Sequence, residues 1–173
     1  MNASANNLPL KRQTTSSGFT LIELMVTIAV LAIIVSIAAP NISTQLANQR
    51  VKSTAATLAN ALKEAKVESI IRRQNVKVVY DATSKTITLK AINIPPISDT
   101  NISVYNIGKQ STITQTIKPS GATDIVFQPD KTIKGGTTVE YIVCDMGSNN
   151  ETPRQVSLTS IGNVNTTNAG SCP

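Results

Sequence analysis

Between Leu24 and Ala39, sixteen consecutive residues carry no formal charge, and most are Ile, Val, Leu or Ala. A bilayer core of about 30 Å takes about 20 apolar residues in helical form. Counting back through Glu23 to Phe19 supplies them, so the run reads as a membrane helix with one carboxylate near its start. Lys11 and Arg12 precede it, with no acid between Met1 and Ser17. A short basic flank of this kind stays on the cytoplasmic side, so the rest of the chain is expected across the membrane. Taken alone, the run fits two other readings. A plain N-terminal anchor is one. A secretory signal peptide is the other, but its cut follows the apolar run at a small-x-small site. Ala38-Ala39-Pro40 is a poor version of that site, because Pro40 directly follows the would-be cut.

Two residues near the start of the run carry chemistry. Gly18 gives the least crowded backbone in front of Phe19, which suits a peptidase that must reach a carbonyl; the bland reading is a break before the helix. Glu23 is a lone carboxylate near hydrocarbon, where an unpaired charge is costly and marks a function. Its natural partner is a cation from another subunit, and the alternative is a tolerated acid at snorkelling depth.

These residues, Gly18-Phe19-Thr20-Leu21-Ile22-Glu23 followed by an apolar run to Pro40, resemble the class III leader of type IV pilins and type II secretion pseudopilins. The resemblance implies a leader of residues 1–18, cut by a prepilin peptidase between Gly18 and Phe19. It implies N-methylation of Phe19, retention of residues 19–40 as the transmembrane helix, and an assembly role for Glu23. The partner of Glu23 would then be the free amine of a processed Phe19.

Beyond Pro40 the pattern stays helical to about Arg73. Val51, Ala55, Leu58, Leu62, Ala65 and Ile70 recur at spacings of mostly three and four, with Gln49, Arg50, Lys52, Asn60, Lys63, Glu64 and Lys66 on the other side. Pro40 is expected to kink the rod rather than end it. From Asn75 the period changes to two. Strands are expected at 76–80, 86–92, 102–105, 111–117, 124–128, 137–144 and 154–159, with turns at Lys118-Pro119-Ser120-Gly121, Lys134-Gly135-Gly136 and Asp145 to Asn150. The expected fold class is α+β. A long N-terminal helix, transmembrane then amphipathic over 41–73, packs on an antiparallel or mixed β-sheet head of residues 74–173.

Composition limits the chemistry. Of 16 Lys and Arg, Lys11 and Arg12 belong to the leader, leaving 14 against 10 acids, net +4. That is mildly favourable to an anionic polymer and no signature. Histidine is absent, which removes the usual proton shuttle and the commonest zinc ligand. No phosphate loop, dinucleotide loop or Cys-x-x-Cys occurs, and Asp124, Asp130, Glu140, Asp145 and Glu151 lack metal-loop spacing, so they read as turn and surface acids. No enzyme, cofactor or metal is expected. Cys144 and Cys172 are best read as one disulfide across a loop of about 29 residues, holding a Gly/Asn/Thr-rich tail.

The layout of helix and β-rich head is similar to the GspH/FimT group of minor pilins and pseudopilins, and the cysteine pair and basic first helix are somewhat more like the FimU type. What this implies is a non-enzymatic minor pilin that helps start or cap a type IV pilus. Its expected partners are the prepilin peptidase, other major and minor pilins or pseudopilins, and inner-membrane lipid, with the head in the periplasm and later in a periplasmic or extracellular filament. A type II secretion pseudopilin is the alternative. DNA uptake is another, since FimT-type relatives bind DNA through Gly-Arg-x-Arg. The nearest stretch here, Gly162-Asn163-Val164-Asn165, has Asn at both arginine positions, which supplies neither charge nor reach to a phosphate.

Overall fold

The computed structural model describes residues 18–93, 95–121, 124–148 and 150–173, with the side chains of 38–41 outside the description. Two compact units part between Ala39 and Pro40. One helix, α1 (Leu21–Arg72), is assigned across that boundary. The kink expected at Pro40 therefore falls on a residue whose side chain lies outside the described set. Divided at residues 38–41, neither segment of α1 is by itself long and apolar enough to cross a bilayer, whereas Leu21–Ile37 and Ile42–Arg72 together are, by length and composition.

In the first unit every residue from Gly18 to Ile37 is exposed. Its two hydroxyls do not break the apolar surface. Thr27 Oγ1 donates to the Leu24 carbonyl and Ser36 Oγ to that of Ile33, each at 2.8 Å, so both are satisfied within the helix.

In the second unit α1 buries Ala47, Val51, Ala55, Leu58, Leu62 and Ala65, as the spacing predicts. The stripe departs from expectation at its end: Ile70 is exposed and Ser69 is buried, its hydroxyl shared between the Lys66 and Gln128 carbonyls at 2.7 and 3.1 Å. A small hydroxyl fits where the loop after β5 runs close to the helix; an isoleucine does not.

Eight strands follow among the described residues: β1 (Val76–Asp81), β2 (Thr86–Ala91), β3 (Thr100–Asn106), β4 (Ser111–Lys118), β5 (Ile125–Phe127), β6 (Thr138–Asp145), β7 (Arg154–Leu158) and β8 (Val164–Asn168). They form two four-stranded sheets, ordered β3-β2-β1-β5 and β4-β6-β7-β8. Every pairing is antiparallel, which settles the antiparallel-or-mixed alternative. The β1–β2 hairpin pairs Val76 with Ala91 and Asp81 with Thr86. Its turn is closed by Asp81 Oδ1, which accepts from the Thr83 and Ser84 amides at 2.8 and 3.2 Å.

One apolar cluster joins α1 to both sheets, through Leu58, Leu62, Val76, Ile87, Phe127, Tyr141 and Val156 among others. With so few aromatics, Phe127 and Tyr141 are the two largest side chains buried completely. Desolvation pushes the Tyr141 phenol well above its ordinary value.

Candidate functional site

The N-terminal motif is built by a helix cap. Thr20 precedes the first helical residue, and its Oγ1 accepts from the Glu23 amide at 3.2 Å, while its carbonyl accepts from the Leu24 amide at 3.2 Å. The spacing Thr-x-x-Glu is that of a capping box, and it puts a carboxylate in the first turn, where the helix dipole favours negative charge. No ion pair to the Glu23 carboxylate occurs among the described residues. Leu21–Ile37 offers no cation to match it.

Among the described residues nothing crowds Gly18: a Cβ there meets none of them within 4 Å. Phe19 projects its ring into the open. Lys11 and Arg12, the expected basic flank, lie outside the described residues.

In the head, polar residues expected on the solvated side of α1 cross to the sheets. Arg50 Nε donates to Asp145 Oδ2 at 2.7 Å and Nη2 to Oδ1 at 3.1 Å, a two-pronged clasp on the end of β6. Asp145 is buried, which corrects its reading as a surface turn acid. The Arg50 guanidinium holds its carboxyl below the usual carboxylate range, helped by the Gly147 amide at 2.9 Å. Glu64 accepts from Ser103 Oγ and from the Tyr105 hydroxyl on β3, and that bond pushes the phenol up to about 12. Thr54 and Ser111 share a buried hydroxyl–hydroxyl bond at 2.8 Å. Lys66 Nζ reaches the Gly162 carbonyl at 3.0 Å.

These clasps join α1 to both sheets. Sequence spacing missed them because a helix side that carries charges is read as wet by default, and partners 39 to 96 residues away leave no local trace. Of the remaining acids, Asp124 pairs with Lys77 at 2.8 Å and Asp130 Oδ1 accepts from the Thr132 hydroxyl at 2.7 Å.

Cys144 and Cys172 are joined, with Cα atoms 6.1 Å apart. The bond ties the residues after β8 to β6, next to Glu151, whose Oε1 accepts from the Asp145 amide at 3.1 Å. The three ligand-type groups gathered here, Cys144, Cys172 and Glu151, thus include two sulfurs already spent on each other.

The stretch Gly162-Asn163-Val164-Asn165 forms the β7–β8 turn and the start of β8. Gly162 takes φ +70°, and a Cβ there would sit 2.6 Å from the Lys131 carbonyl, so the glycine serves the turn. Lys109, Lys118, Lys131 and Lys134 are all exposed.

Residues 14–39 match the prokaryotic N-terminal methylation motif. Solved structures that share the fold include the following two. One is the type IV minor pilin FimU of Pseudomonas aeruginosa, at TM-score 0.57 and 17% identity, over 72% of this chain and 96% of that one. The other is the minor pseudopilin EpsH from the type 2 secretion system of Vibrio cholerae, at TM-score 0.57 and 11% identity, over 70% of this chain and 99% of that one.

Proposed function

We propose that this chain, type IV pilin-like in its N-terminal motif and its fold, is a minor structural subunit of a type IV pilus that helps start or cap the filament from the inner membrane. A prepilin peptidase cuts between Gly18 and Phe19, and Phe19 is N-methylated. The apolar helix then holds the subunit in the membrane until it joins other pilins, with the head on the periplasmic side. The observation that carries this reading is Glu23. It is a single carboxylate with no ion-pair partner among the described residues, at the start of a fully exposed apolar helix.

Moving such a helix from lipid into a bundle of like helices changes apolar burial little, so packing alone does not fix axial position. A charge pair does: Glu23 of one subunit against the terminal amine of the next sets the step. Gly18 supports the same reading: no described residue crowds a Cβ there, and a scissile bond favours a backbone without one.

Mass determination of the N-terminal peptide from membrane-extracted protein is expected to give methylated Phe19. A mature chain that begins beyond Ala39 overturns the proposal. The cysteine pair and the Lys-bearing face of α1 favour a pilus over a secretion filament. Deleting the protein is then expected to abolish surface pili and leave secreted proteins unchanged; the reverse result moves the subunit to a secretion system.

A further inference from the structure

The free edge of β8 opens on a groove beside α1 that carries cations and no acid. Its two adjoining parts, about 350 and 300 Å³, share Lys52 and Arg154 and are completed by Lys63, Thr166 and Asn168. Among the described residues, none of Lys52, Lys63 and Arg154 is in an ion pair, and no carboxylate lines either part. On the helix side, Ala55, Ala56 and Ala59 form a low floor that lets another backbone come close.

The register says what faces this groove. Ala169 donates its amide to the Pro153 carbonyl at 2.8 Å, so in the antiparallel ladder residues 165, 167 and 169 turn their backbone groups toward β7. Val164, Thr166 and Asn168 therefore turn theirs outward. The Thr166 amide has found only a substitute, the side-chain oxygen of the adjacent Asn165 at 3.0 Å. An unpaired edge is a template for another strand.

We infer that this groove receives an extended acidic segment of a neighbouring subunit, added as a fifth strand to the β4-β6-β7-β8 sheet at β8. Main-chain bonds to Val164, Thr166 and Asn168 supply affinity, and alternate side chains of the added strand face α1. There Lys52, Lys63 and Arg154 select Asp or Glu, while the alanines leave little depth for bulky residues. A second copy of this chain is a poor occupant, since its mature form carries net positive charge. The identity of the partner as a filament subunit rests on the function proposed above, but the site itself does not.

The test uses the full chain in detergent micelles and three probes: an octapeptide alternating Glu and Thr, the same peptide N-methylated at alternate amides, and an oligothymidylate of equal charge. The acidic peptide is expected to bind and to slow amide exchange at Thr166 and Asn168. Lys52→Glu or Arg154→Glu is expected to weaken it about tenfold, as loss of a steering charge does. N-methylation is expected to abolish binding, which charge alone cannot explain. Absence of binding, indifference to N-methylation, or equal binding of the oligothymidylate overturns the inference. Lys52 is exposed and Arg154 half-buried, and an unchanged melting curve checks the fold of both variants. Because processing at Gly18 plays no part in this measurement, its failure leaves the filament-subunit reading standing.

Discussion

Asp145 shows how one buried charge ties stability to pH. Its folded-state pKa lies below the ordinary value, chiefly because Arg50 donates to it. The carboxylate's contribution is therefore complete above the unfolded-state pKa, near 4 on the usual scale, and is lost as pH falls through the folded value. Thermal melts on a falling pH series are expected to drop below about pH 4. Arg50→Gln is expected to lower stability at neutral pH and to flatten that drop; an unchanged slope shows that Asp145 does not couple to folding. A second residue-scale expectation concerns Gly162. Alanine there must hold a left-handed φ and displace the Lys131 carbonyl, so a loss of about 1–3 kcal/mol is expected in denaturant unfolding. Neither role was legible beforehand. Asp145 sits in a string of turn-forming residues, and Gly162 drew notice only for a motif it does not complete.

Among elements, those with a strong period were legible and those held by their neighbours were not. The stripe of α1 through Ala65 and strands such as β1, β2 and β7 follow from spacing, because a buried face forces period 3.6 or 2 on the apolar residues. β8 has no such pattern. Val-Asn-Thr-Thr-Asn is polar and almost wholly exposed, and it is a strand because β7 offers it an edge and the Cys144–Cys172 bond holds the chain beyond it. Replacing both cysteines by serine is expected to cost about 3 kcal/mol by the loop-closure estimate. Hydrogen exchange should rise first at β8, the edge strand nearest the released end. Uniform loosening of both sheets would show that β8 stands without the bond.

For the whole molecule, the proposed division of labour is between the apolar segment Leu21–Ile37, given the assembly determinant Glu23, and a second unit that folds around its own core. Glu23 lies outside that core, so Glu23→Ala is expected to leave the melting curve of the head unchanged and to remove the protein from isolated filaments. Undiminished incorporation would show that the carboxylate does not set the step. The N-terminal motif was legible because it is local: six consecutive residues carry it, and none depends on tertiary contact. The groove beside β8 was not, since Lys52, Lys63, Arg154 and Thr166 meet only after the 113 residues between the first and last of them have folded.

The spread of polar clasps along Ile42–Arg72 has a mechanical consequence. Asn48, Arg50, Thr54, Glu64, Lys66 and Ser69 each grip a different point of the head. Tension applied along that segment strains all six anchorages in shear at once, so the joint resists sliding where a lone hairpin would peel open pair by pair.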